Sequence, residues 1–172
     1  MPRHAAGDAV ARPGNGPDTV LSWIRLLHRG TADGAVWGAL TPELRLAVSQ
    51  LYLVSVRSGN DDARAARLAA VEPADADFPA MLHRQCQAWR KTYLPLARGA
   101  DPAAAVVVGS DMEMVTLTAR PVRPGHGAGP PAVYRFLVRH WWGDVTIAAL
   151  GSRLTVPGWP PVQWSIPHLP HN

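Results

Sequence analysis

The stretch that most constrains this chain runs from Val133 to Pro161, VYRFLVRHWWGDVTIAALGSRLTVPGWPP. Two runs rich in β-branched and aromatic residues flank Gly143-Asp144, and glycine supplies the positive φ that a two-residue hairpin loop requires. With that loop Trp142 is expected to face Val145, His140 to face Ile147, Val138 to face Ala149 and Phe136 to face Gly151. One side of the ribbon then carries Tyr134, Phe136, Val138, His140 and Trp142 with Val145, Ile147 and Ala149. The other carries Arg135, Leu137, Arg139 and Trp141 with Thr146, Ala148 and Leu150. A ribbon with one apolar side lays that side on a core, and the mixed side faces outward.

The segments upstream supply helices for that core. Val20, Trp23, Ile24 and Leu27 recur at helical spacing, with Asp18 as expected N-cap and Gly30 just beyond the last turn. A short helix carrying Val36, Trp37 and Leu40 is expected from Thr31. Thr41-Pro42-Glu43 restarts the chain as N-cap, first-turn proline and first-turn acid, opening a helix to about Val56. Residues 61 to 77, DDARAARLAAVEPADAD, are helix-prone and poor in bulky side chains, and are expected to form a mobile, partly helical surface insertion. The next helix is expected from Asp77 to about Ala97, with Phe78, Met81, Leu82, Cys86, Trp89 and Tyr93 on one side and Arg90 on the other. Two strands follow, about Ala104 to Val108 and Met112 to Ala119, before a Pro- and Gly-rich connection leads to the hairpin. Helices first and an antiparallel meander afterwards define an α+β protein.

A chain of 172 residues suits one domain, here 18–161, with the helical insertion at about 61–97. Residues 1–17 read as a disordered leader without the apolar core of a secretory signal, and 162–172 as an extended, proline-rich tail. Apolar residues make up 47% of the chain, yet no run approaches the roughly 18 needed to span a membrane. The net charge of +4 comes almost wholly from scattered arginines, with Lys91 the single lysine. Nucleic-acid binding asks for a basic stripe that neutralises several phosphates together, and none is present. One cysteine, Cys86, excludes an internal disulfide and a multi-cysteine zinc site, and implies a reducing, cytoplasmic setting.

Trp23-x-x-x-Leu27-x-x-Gly30, Trp37-x-x-Leu40-Thr41-Pro42-x-Leu44 and the closing hairpin RFLVRHWWGDVTIAAL together resemble the nuclear transport factor 2-like superfamily over roughly residues 18 to 160. The resemblance implies N-terminal helices packed in the concavity of a curved antiparallel sheet, with a pocket between them. Such proteins include dehydratases, steroid isomerases, polyketide cyclases, ligand-binding domains and pure dimerisation modules, so the fold does not decide the function.

His140 interrupts the apolar side of the ribbon and is the leading candidate for a general base, provided that a carboxylate orients it. Glu113 and Asp111 are the candidate partners. Glu113 shares a face with Val115 and Leu117, and would be buried if that face is the concave one. The preferred readings are structural: a core histidine bonded to a backbone carbonyl, or one exposed at the hairpin tip, and an edge-exposed Glu113. Trp23, Trp37, Tyr134, Phe136 and Trp142 are candidates to line a small hydrophobic ligand, although aromatics at helical spacing, such as Trp23, Trp37 and Trp89, are more often core. Arg139 and Trp141 on the mixed side, with Trp159 and Trp164 in the tail, are candidates for an interface. No metal site or cofactor motif is expected: G-x-S-x-G, G-x-G-x-x-G, G-x-x-x-x-G-K and H-E-x-x-H are all missing, and His168 and His171 alone are too few. Two readings result: a non-catalytic interaction module that forms a homodimer or meets a protein partner, and a small-pocket enzyme or binder for a hydrophobic molecule. The first is preferred, because acid–base chemistry needs a positioned pair.

Overall fold

A computed structural model describes residues 16–58, 61–101, 104–120 and 130–151 of the chain. Five helices precede a sheet of four strands: α1 (Gly16–Arg29), α2 (Asp33–Gly38), α3 (Pro42–Ser55), α4 (Asp62–Leu68), α5 (Phe78–Arg98), then β1 (Ala104–Val107), β2 (Met112–Ala119), β3 (Ala132–Trp141) and β4 (Asp144–Gly151). The strands pair antiparallel in chain order, β1-β2-β3-β4, giving the expected α+β architecture with helices against a curved sheet. The leader up to residue 15, the tail from residue 152 and, with them, Trp159, Trp164, His168 and His171 lie outside the described residues.

Local chemistry explains the helix boundaries. Thr41 is the N-cap of α3, its hydroxyl accepting from the Leu44 N–H at 3.3 Å, and Pro42 occupies the first turn, where a missing N–H costs nothing. Gly30 closes α1 at φ +76°, a conformation that glycine adopts without penalty. Helix α1 begins two residues before Asp18, so that aspartate sits in the first turn, where it meets the positive end of the helix dipole.

Val20, Trp23, Ile24 and Leu27 of α1 meet Met81, Leu82, Cys86, Trp89, Tyr93 and Leu96 of α5, and this layer lies on Val115, Leu117, Phe136, Val138, Ile147 and Leu150 of the sheet. Helix α5, expected within an insertion, is therefore a central core helix. Helix α4 is likewise anchored: Ala65 and Leu68 are buried, and α4 packs on α3. On the opposite side of the sheet Met112, Met114, Leu137, Ala148 and Ala149 form a second, smaller apolar cluster.

Two details of the hairpin differ from expectation. The loop is Trp142-Gly143 rather than Gly143-Asp144, because Asp144 joins the ladder opposite Trp141. Both loop residues have positive φ, +49° and +93°, with glycine in the second place as in type I′ turns. His140 accordingly faces Val145 and Val138 faces Ile147. A bulge then adds Ala148, so that Leu137 faces Ala149 and Phe136 faces Leu150. That extra residue turns Ala149 to the outer side and Leu150 inward, reversing their expected placement. Beyond β4, Thr41 N–H donates to the Ile147 carbonyl and Ile147 N–H to the Ala39 carbonyl, each at 2.9 Å, which partly covers that sheet edge.

Candidate functional site

Glu113 stands opposite Val138 across the β2–β3 ladder, one diagonal step from His140. Both side chains lie on the helix side, and His140 Nε2 is 3.0 Å from Glu113 Oε2. Glu113 is 3% exposed, so the edge-exposed placement preferred from the sequence is wrong: its face of the strand is the one the helices cover. Asp111 does not join them. Its backbone carbonyl accepts from the His140 N–H at 2.7 Å, while its side chain lies 4.0 Å from Arg139 on the outer side.

Above the pair sits the first turn of α1. A Cβ on Gly16 would fall 2.4 Å from Glu113 Oε2 and 3.0 Å from Val115 Cγ2, so only glycine allows the helix to approach this closely. The positive end of α1 thus meets the carboxylate from one side and the imidazole from the other. Such an arrangement holds a charge and orients a histidine. It can also move a proton, but only for a substrate that reaches the imidazole.

Among the described residues, aromatic side chains fill the neighbouring interior. Trp23 lies edge-to-face with Trp89 at 5.5 Å and with Phe136 at 6.3 Å, while Tyr93 contacts Phe136 at 5.3 Å and Tyr134 at 5.8 Å. Trp37 packs against Phe78 at 5.8 Å. The indole N–H groups of Trp23 and Trp37 donate to the Val36 and Ala70 carbonyls at 3.1 and 3.0 Å, as buried indoles require. Of the aromatic ligand candidates, Trp23, Trp37 and Phe136 are buried in the core and Tyr134 is packed against it. The remaining one, Trp142, stands apart at 91% exposure, next to Trp141 at 61%.

An open depression of about 640 Å³ runs outside α1, lined by Asp18, Thr19, Ser22, Trp23, Arg25, Leu26, Arg29, Ala39 and Val145. His140 and Glu113 are not among its walls. Val145, however, is the ladder partner of His140 and follows Trp142 by three residues, so the depression lies at the foot of the hairpin tip.

Arg139, an interface candidate, is engaged within the chain. Its guanidinium bonds Glu43 Oε1 at 3.0 Å across to the first turn of α3. Burial alone would raise the Glu43 carboxyl, but its own backbone N–H and Arg139 outweigh that and hold it below the ordinary range. Cys86 is buried and unpaired, its thiol pushed up to about 12 chiefly by that burial, which leaves no thiolate for chemistry near neutrality.

Sequence reasoning missed two arginine ties to backbone carbonyls, from the buried Arg45 and the partly buried Arg90. Arg45 donates to the Ala69 carbonyl at 2.8 Å and to the Leu40 carbonyl at 2.7 Å, closing the C-terminus of α4. Arg90 donates to the Leu27 carbonyl at 2.7 Å and pairs with Asp33. The only local signal is an arginine on a helix face that also carries core residues. Among the described residues no cluster of three or more His, Cys, Asp or Glu side chains could hold a metal, and no helix is long and apolar enough to cross a membrane.

Comparison with known protein families, curated proteins and solved structures finds no match for this chain.

Proposed function

We propose that this chain is a non-catalytic interaction module, of the nuclear transport factor 2-like kind, that meets a protein partner through the tip of the β3–β4 hairpin. The observation that carries the reading is Trp142. A bulky side chain in the left-handed region costs about 1–2 kcal/mol relative to ordinary backbone, and Trp142 at φ +49° recovers none of it by packing, because it is 91% exposed. A strained, solvent-facing aromatic beside a second exposed tryptophan has the composition of an interface anchor. The filled interior supports the same reading, since the pocket expected of an enzyme with this architecture is occupied by Trp23, Tyr93 and Phe136. The unpaired Cys86 fits a cytoplasmic setting.

A photo-activated benzophenone amino acid at position 142, introduced into the full chain in cells, tests this reading. A protein adduct of discrete mass is expected; labelling no stronger than at an exposed helix position such as Lys91 would remove the tip from consideration.

A second reading is favoured by one observation, the 3.0 Å contact between His140 and Glu113. Under it the pair is the general base of an enzyme acting on a small hydrophobic molecule that enters from the depression beside Val145. Ligand-induced thermal stabilisation that disappears in His140→Ala would support it over the first.

A further inference from the structure

Resting on the reading of the hairpin tip as a docking element, we infer that the partner is a second copy of this chain. Each copy places Trp142 in the depression that the other presents between α1 and Val145. Three features of the surface point to this pairing.

The first is shape. The depression is open, and Trp23, Leu26, Ala39 and Val145 give it apolar walls suited to an indole. The second is charge. Arg25 and Arg29 line the same depression, and Asp144 directly follows the tip. Guanidinium groups offer both an ionic partner for that carboxylate and a planar cation for the face of an indole. Asp18, also in the lining, sits in the first turn of α1, away from the turn that carries Arg29. A lipid surface suits the tip less well, since Asp144 would accompany the tryptophans into the headgroups.

The third is symmetry. Because the tip and the depression adjoin through Val145, one two-fold axis can satisfy both contacts together, and the interface closes on itself without propagating.

Sedimentation velocity on the full chain across the micromolar range, with light scattering, tests the pairing. The wild type is expected to be dimeric at tens of micromolar. Trp142→Asn creates the Asn-Gly loop favoured for this turn, so it keeps the hairpin while removing the anchor. It should weaken self-association by about tenfold or more while its melting temperature at sub-micromolar protein does not fall. A paired set, Arg25→Glu with Arg29→Glu and separately Asp144→Arg, should each weaken the dimer, and the three combined should restore it. A wild type that is monomeric at tens of micromolar overturns self-pairing, as does a Trp142→Asn variant that dimerises like wild type. Charge variants that leave the dimer unchanged overturn the depression as its seat. A monomer whose position-142 crosslinker still captures a different protein in cells would refute self-pairing alone; a monomer with no such adduct would refute the docking tip as well.

Discussion

His140 and Glu113 bridge neighbouring strands across a diagonal of the sheet, Nε2 to Oε2 at 3.0 Å, beneath the first turn of α1. The contact joins three elements that are distant in sequence. It fixes the strand that carries the exposed tip to the strand beside it, and both to the helix that forms one wall of the neighbouring depression. In the interaction-module reading its role is positional.

Removing the carboxylate should therefore cost stability. Glu113→Ala leaves a cavity and deprives His140 of its partner, and a loss of about 2–3 kcal/mol is expected for a buried charged hydrogen bond. Glu113→Gln preserves shape and a hydrogen bond and should lose about half as much. Urea denaturation of the full chain reads both. Equal losses would mean that charge, not shape, accounts for the contact.

Gly16→Ala should destabilise even though alanine is the better helix former. Its methyl would lie 2.4 Å from Glu113 Oε2 and 2.7 Å from the carboxyl carbon, so helix or side chain must shift. A net cost of about 1–2 kcal/mol is expected, as for other overpacked sites. In a Glu113→Ala background the clash with the carboxylate is gone and the cost should largely vanish. A cost of the same size in both backgrounds would show that the carboxylate does not limit the approach of α1.

His28 should make the protein less stable in mild acid. Its burial first, and the nearby Arg90 guanidinium second, hold its pKa below the ordinary 6.5. Its Nε2 is buried without a hydrogen-bond partner among the described residues. The unfolded chain thus binds this proton more readily than the folded one. Stability from the neutral ring is complete above the unfolded value and is lost as pH falls through it toward the lower folded value. Across about pH 7 to pH 5, bracketing the ordinary histidine value, His28→Gln should show a shallower decline of urea midpoint than wild type. Parallel declines would place the acid sensitivity elsewhere.

Much of the helical half was legible because its signals are local. Thr41, Pro42 and Glu43 state a helix start by cap chemistry alone, and the apolar stripe of α1 follows from residue spacing. The hairpin was legible as a hairpin, but Gly143 suits either central place of a two-residue loop, so the turn shifted by one residue. The bulge had no signal, since two adjacent small apolar residues, Ala148 and Ala149, read the same whichever one is extra. Burial of Glu113 depended on which side of the sheet the helices cover. The roles of Arg45 and Arg90 depended on carbonyls 24 and 63 residues distant for Ala69 and Leu27, respectively. Pairings of that range leave no periodic trace in the chain.

Trp142 is where stability and exposure conflict most openly, and one equilibrium unfolding experiment tests that conflict. Denaturation of wild type and Trp142→Asn should be compared at sub-micromolar protein, where any association contributes little. If the tryptophan is held in left-handed backbone without packing to offset it, the variant should gain about 1 kcal/mol. A loss of stability instead would mean that Trp142 serves the fold of its own chain, and the tip would no longer stand as a docking element.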